Sequence, residues 1–171
     1  SRMSAKRLPG KPLLKVNGLS IISHVFKKAE AANIGEVIVA AEDQEIVDDV
    51  KKNGGQAIIT KNDHKTGTDR IYEAFIKFDD SKIDFVMNLQ GDEPLMNIDD
   101  IRKLNNKMIK NNSDLGTLAS EIKDKELYEK ESIVKVDTNE NLNKTNFPEA
   151  VNFSRKIFSQ KKKNYHHLGI Y

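Results

Sequence analysis

Short apolar runs alternate along this chain with amphipathic segments, and this alternation restricts the possible folds more than any other feature. The runs at residues 37–41, 57–60 and 85–89 are typical of strands buried on both faces of a sheet. Apolar residues at helical spacing lie around them and predict helices over residues 21–33 and 43–53, and again over 68–78. Strands and helices in this order predict right-handed crossovers and an α/β class, with a mostly parallel sheet flanked by helices.

The chain after residue 94 shows a looser pattern. We predict a helix over residues 98–109 and strands over 115–120, 133–137 and 152–154, and we therefore expect a smaller mixed β region after about residue 115. With 171 residues, of which 37% are hydrophobic, the chain is long enough for a sizeable core. The prediction is one domain over residues 1–171.

The composition limits the classes of partner. The formal net charge of +2 is too close to zero to predict a nucleic-acid or membrane surface. The sequence contains no cysteine, which excludes a disulfide framework and a thiolate metal site or nucleophile. No apolar run approaches the roughly 18 residues of a membrane span. We expect a cytoplasmic protein without a nucleic-acid or membrane partner.

The opening segment, residues 1–12, combines cations with small and conformationally restricted residues. Arg2, Lys6, Arg7 and Lys11 supply charge-assisted hydrogen-bond donors. The small residues between them let the backbone approach an anion closely, and the prolines stiffen the loop. These residue types in this pattern favour a loop that binds a triphosphate.

Residues 90–94, with the sequence QGDEP, directly follow a predicted strand. A carboxylate at such a strand end points into the ligand crevice of an α/β fold, where it can hold Mg²⁺ against phosphate oxygens. Asp92 is the candidate metal ligand. The alternative is that Asp92 and Glu93 only cap the following helix or turn.

Residues 63–70 cross from a loop into a predicted helix. Backbone N–H groups at a helix N-terminus attract anions, and Gly67 would let a nucleotide approach closely. The structural alternative is that Thr68 is an ordinary N-cap, with Asp69 offsetting the helix dipole and Arg70 solvated.

Five segments in order along the chain resemble the sugar-acid cytidylyltransferases: RLPGKP, TGTDR and QGDEP, then NFSR at residues 152–155 and HLGIY at residues 167–171. Within that family they are most similar to the enzymes for 3-deoxy-manno-octulosonate (Kdo). The resemblance implies a Rossmann-like nucleotidyltransferase fold, usually found as a homodimer. It also implies Mg²⁺-dependent transfer of CMP from CTP to Kdo, which gives CMP-Kdo and pyrophosphate for lipopolysaccharide core synthesis.

The resemblance implies roles for side chains of this chain, and for the basic loop, Gly67 and Asp92 the residue patterns point the same way. The nucleotide-binding positions are Arg2, Arg7, Lys11, Thr66, Gly67 and Gln90. Arg2, Lys11 and Asp92 are the catalytic positions, and Asp92 is also the Mg²⁺ ligand. The positions associated with the sugar acid are Arg155, His167 and Tyr171.

Several alternatives remain open from the sequence. A cytidylyltransferase for an amino analogue of Kdo or for sialic acid would share the basic loop, and a noncatalytic nucleotide-binding module would share the nucleotide motifs. In the resembling family an apolar strand precedes the position of Arg2, and a second acidic metal ligand follows that of Tyr171. We therefore expect this chain to be a fragment that is inactive and poorly stable by itself.

Overall fold

The computed structural model describes residues 1–4, 8–78, 82–156 and 164–171. The chain divides into two compact units, one of residues 1–105 with Ile170 and one of residues 106–169 with Tyr171. Helices and strands alternate along the first unit, which agrees with the predicted α/β class. That the whole chain acts as one domain stays a prediction.

The first unit begins with a 3-10 helix at Lys11–Leu13. It continues through the elements β1 (Lys15–Val16), β2 (Leu19–Ser20), α1 (Ile21–Ala32), β3 (Ile38–Ala41), α2 (Gln44–Lys52), β4 (Gln56–Ile59) and α3 (Gly67–Phe78). Helix α4 (Ile98–Asn111) begins in this unit and ends in the second. Strands β1 and β2 form an antiparallel hairpin. Strands β3 and β4 pair in parallel and are connected by helix α2, as predicted for a strand–helix–strand unit.

The core of the first unit is built from the inner faces of α1, β3 and α2. Its buried members are Ile22, Phe26, Val39, Ala41, Ile46, Val47 and Val50. Helix α1 begins at its predicted cap, because the Ser20 side chain accepts a hydrogen bond from the Ser23 N–H at 3.2 Å. It ends at Asn33, whose φ of 51° is left-handed. The local signals therefore placed this helix correctly.

Residues 85–89, predicted as a strand, do not form one. Leu89 makes an isolated antiparallel bridge with Ile170, and residues 85–88 have no ladder partner within the described ranges. Phe85 and Val86 are 42% and 49% exposed. An apolar run favours extended backbone, but pairing depends on which segments lie beside it, and periodicity carries no such information.

The second unit contains a four-stranded antiparallel sheet with the strand order β5-β8-β6-β7. The strands are β5 (Ala119–Glu121), β6 (Lys135–Thr138), β7 (Ala150–Ser154) and β8 (Asn164–His167), and a short helix, α5 (Lys125–Glu129), follows β5. The β region expected to be mixed is thus antiparallel, and the strand predicted at 115–120 begins later. None of the helices in the described ranges has both the length and the apolar character that a membrane crossing requires.

Candidate active site

The basic loop and the 90–94 turn meet in the first unit. Lys11 Nζ lies 2.8 Å from Asp92 Oδ2, and these side chains are 33% and 49% exposed. Gly10 has a left-handed φ of 74° and turns the chain into the 3-10 helix that begins at Lys11. The contact sets an ammonium and a carboxylate from separate motifs side by side at an accessible surface. Arg7, the third predicted phosphate-binding residue, lies outside the described residues.

The 90–94 turn packs closely against helix α1. A Cβ on Gly91 would lie 2.8 Å from Ile22 Cδ1, so a side chain here would require the end of the Ile22 side chain to move. Within the turn, the Glu93 N–H donates to Gln90 O at 3.2 Å. The Gln90 side chain is exposed. Packing therefore fixes the backbone of the turn and leaves the Gln90 amide accessible to a ligand.

Asp92 has room for one further interaction. Its Oδ2 accepts from Lys11, and its Oδ1 has no partner among the described residues. The described part of the chain contains no group of three or more His, Cys, Asp or Glu side chains that could hold a metal ion. A single accessible carboxylate nevertheless fits Mg²⁺, which is usually bound by one or two carboxylates together with water and substrate phosphates.

The backbone beside Arg2 is anchored, whereas the Arg2 side chain is exposed. The Met3 N–H donates to Asp43 Oδ2 at 2.7 Å, and Ser4 Oγ donates to Glu42 Oε1 at 3.1 Å. Both carboxylates directly follow β3. They hold the loop at the carboxyl end of that strand, which is where open α/β sheets bind ligands.

Helix α3 begins with a reciprocal cap formed by Thr66 and Asp69. The Asp69 N–H donates to Thr66 Oγ1 at 3.1 Å, and the Thr66 hydroxyl and N–H donate to Asp69 Oδ2 at 2.7 and 3.0 Å. The bond from the Thr66 hydroxyl, followed by that from its N–H, lowers the pKa of Asp69. The cap is therefore Thr66, not Thr68. A Cβ on Gly67, the first helical residue, would meet open space.

Arg70 is buried in an ion pair, so the alternative in which it is solvated is wrong. The residue is 6% exposed, its Nη2 contacts Glu42 Oε2, and its Nε donates to Thr60 Oγ1 at 3.2 Å. The Glu42 carboxylate thus connects the basic loop, through Ser4, with helix α3. The sequence reasoning missed this pair, although Glu42 directly follows a predicted strand, the same signal that identified Asp92.

A second charged cluster ties the 61–66 loop to helix α3. Glu73 accepts from the Lys61 N–H at 3.0 Å and contacts both His64 Nε2 and Lys77 Nζ, the latter at 2.7 Å. The hydrogen bonds from Lys77 and then from His64 lower the pKa of Glu73 to about 2. His64, which has no role from the sequence alone, therefore helps to hold this loop.

His167 and Tyr171, both predicted sugar-acid residues, lie together in the second unit. Their ring centroids are 6.4 Å apart, and Phe153 meets His167 edge to face at 5.4 Å. His167 Nε2 shares a hydrogen bond of 2.8 Å with Thr117 Oγ1. Burial, followed by the charge of His166, lowers the pKa of His167 below its ordinary 6.5. Its surroundings therefore favour the neutral imidazole.

Arg155, the third predicted sugar-acid residue, follows β7 and is exposed. Its Nη1 donates to Glu131 O at 2.9 Å and to Ser132 O at 3.3 Å. Its Nε and Nη2 have no acceptor within the described ranges, so one planar edge of the guanidinium can receive a carboxylate. The sequence reasoning missed the neighbouring Lys135, although a lysine inside an apolar strand pattern was a visible signal.

A basic loop held at the carboxyl end of a strand in an α/β unit, with a carboxylate beside its lysine, is typical of proteins that bind nucleotides. The chain belongs to the cytidylyltransferase family, whose model matches residues 1–171. It is 46% identical over 136 residues to the 3-deoxy-manno-octulosonate cytidylyltransferase of Nitrobacter winogradskyi, a match that covers 79% of this chain and 54% of that protein. The same-named protein of Nitrobacter hamburgensis is 37% identical over 179 residues, covering 100% of this chain and 66% of the relative. The predicted family resemblance is confirmed.

Solved structures share the fold. A CMP:2-keto-3-deoxy-manno-octonic acid synthetase complexed with CTP matches with a TM-score of 0.83 and 36% identity, over 99% of this chain and 69% of that one. A cytidylyltransferase from Leptospira borgpetersenii matches with a TM-score of 0.56 and 25% identity, over 70% of this chain and 50% of that one. The Rossmann-like fold class predicted from the sequence is confirmed. The chain spans between about half and two thirds of the length of these two Nitrobacter relatives.

Proposed function

We propose that the complete protein transfers CMP from CTP to Kdo and releases pyrophosphate. Membership of the cytidylyltransferase family and the names of its relatives support this reaction. The observation that carries the proposal is the contact between Lys11 and Asp92. It brings the predicted phosphate-binding cation and the predicted metal ligand, 81 positions apart, within 2.8 Å of each other.

The first unit supplies the residues for the nucleotide. Lys11 and Arg2 carry positive charges that stabilise the negative charge developing on the leaving pyrophosphate. Gly67 opens helix α3, whose first N–H groups suit an anion or a carbonyl oxygen. Gln90 offers an exposed amide. Asp92 would hold Mg²⁺, which, when bound, neutralises phosphate charge.

The second unit supplies the residues for the sugar acid. The neutral imidazole of His167 and the hydroxyl of Tyr171 suit sugar hydroxyl groups, and the open edge of Arg155 suits the carboxylate. The anomeric hydroxyl oxygen of Kdo attacks the α-phosphorus of CTP. The bond from that phosphorus to pyrophosphate breaks, and the hydroxyl proton is released.

The test is pyrophosphate release by the complete protein with CTP, Mg²⁺ and Kdo, compared with the amino analogue of Kdo and with sialic acid. We expect turnover that needs all three components and prefers Kdo. Lys11→Met should lose most of the turnover, and Lys15→Met, which removes an exposed lysine of β1, should not. A preference for either other sugar acid would contradict the proposed substrate. CTP-dependent thermal stabilisation without any turnover would instead indicate a nucleotide-binding module.

We also propose that the enzyme is a cytoplasmic homodimer, because the family that it resembles is usually dimeric and acts on small anionic substrates. Light scattering of the complete protein should give twice the mass of one chain. A monomeric mass at assay concentration would contradict the dimer, and a membrane-bound pool on cell fractionation would contradict the location.

A further inference from the structure

Lys135 is a fully buried lysine in the second unit. Its exposure is 0%, and it lies on β6 beside Val136, which is 1% exposed. Its Nζ donates to Lys130 O and to Arg155 O, each at 2.7 Å. Burying an ammonium is unfavourable unless it is hydrogen-bonded, and an apolar side chain of similar volume would avoid that cost. A lysine at this position therefore calls for an explanation other than core packing.

Lys135 and Arg155 both bind the turn at residues 130–132. Lys135 binds a carbonyl group of this turn and the carbonyl group of Arg155 itself. Arg155 Nη1 donates to Glu131 O and Ser132 O, which directly follow Lys130. Lys135 thus binds the backbone of Arg155 and of the 130–132 turn, while the Arg155 guanidinium binds the same turn. Hydrogen bonds from both cations therefore join Arg155 to the 130–132 turn, and they limit how Arg155 can move.

We propose that Lys135 is a positioning residue for Arg155 and fixes its Nε–Nη2 edge to receive the carboxylate of the sugar acid. This inference rests on the proposed function, because it takes Arg155 as the carboxylate-binding side chain. A bidentate pair needs two N–H donors in one plane at a fixed place. Arginine has many rotamers, and ordering it before the substrate arrives removes an entropic cost from binding. Lys135 achieves this from the interior without touching the substrate.

The test uses Lys135→Met in the complete protein, because methionine keeps an unbranched side chain, only one heavy atom shorter, and removes the donors. We expect the KM for Kdo to rise about tenfold to a hundredfold, with the KM for CTP unchanged. Lys130→Met is the matched control: it removes an exposed lysine side chain but keeps the carbonyl, and it should leave both KM values unchanged. In an Arg155→Met background, Lys135→Met should add no further rise in the KM for Kdo.

The outcomes separate this inference from the proposed function. A wild-type protein that does not use Kdo contradicts both. An active wild type with an unchanged KM for Kdo in Lys135→Met, an equal rise in the KM for CTP, or additive effects in the double variant overturns the positioning role alone.

If Lys135→Met does not fold, ¹⁵N relaxation of the Arg155 Nε–H in the ligand-free wild type decides. An order parameter of about 0.85, as in rigid backbone, supports the inference, and one below about 0.6 overturns it.

Discussion

The contact between Lys11 and Asp92 gives a prediction in which the effects on stability and on catalysis differ in size. Asp92→Asn keeps the shape of the side chain and removes its charge. The side chains are 33% and 49% exposed, at 2.8 Å, and exposed ion pairs of this kind contribute about 0.2–1 kcal/mol. We therefore expect a melting temperature lowered by about 4 °C at most. Asp92 would act through the Mg²⁺ that it holds, and removing one electrostatic stabiliser of a transition state costs about 10²–10³-fold in kcat, or about 2.7–4 kcal/mol.

The assay measures pyrophosphate release at saturating Mg²⁺ alongside thermal unfolding of the same Asp92→Asn sample. The control is Asp99→Asn, which removes the carboxylate of another surface pair, with Arg102 at 3.3 Å. It should leave turnover unchanged and lower the melting temperature by no more than about 4 °C, as expected for another exposed ion pair. Near-normal turnover by Asp92→Asn would refute the catalytic role. A loss of stability as large as the loss of activity would show instead that the pair mainly holds the fold.

Further predictions concern the stability of the first unit. Gly55→Ala should lower the free energy of unfolding in urea by about 1–3 kcal/mol, because its Cβ would lie 2.7 Å from the Phe26 ring. Gly35→Ala is the control: a Cβ there would meet open space, and the free energy of unfolding should not fall. Equal losses in the two variants would contradict the packing argument. Arg70→Met should lower the free energy of unfolding by about 3–5 kcal/mol, because it leaves the Glu42 carboxylate buried without its cation. A loss below about 1 kcal/mol, which is typical of a surface ion pair, would contradict this prediction. The lowered pKa of Glu73 predicts that wild type exceeds Glu73→Gln in stability above the ordinary pKa of 4.5. The difference should shrink as pH falls from there toward about 2, and a pH-independent difference would exclude this linkage.

Much of the first unit could be predicted from local sequence. Helix α1 begins after Ser20 and ends at Asn33, as the cap residues indicate. Helix α2 ends before Gly54 and Gly55, the predicted stop. These signals work because a helix end is decided by hydrogen bonds within a few residues. The error at Thr68 had the same local origin, since Thr66 and Thr68 are both acceptable caps and only the geometry chose the first.

The sequence singled out candidate site residues but not their contacts, and the roles of those residues stay a prediction. The basic loop singled out Lys11, and the position after a predicted strand singled out Asp92, but neither signal indicated that the two side chains touch. The hydrogen bonds around Arg155 were likewise invisible, since they join residues 20 or more positions apart. Each of these contacts depends on where two distant segments are placed in space.

By itself, the sequence determined the order and type of most elements, the two ends of helix α1 and the family, because periodicity and motif spacing are local properties of a chain. Tertiary structure decided which charges pair. Glu42 and Arg70, 28 positions apart, are buried together, whereas the apolar residues 85–88 stay without a ladder partner within the described ranges. Burial and pairing depend on the neighbours that folding brings together. Side chains that look alike along a sequence can therefore end as a solvated cation or as half of a buried ion pair.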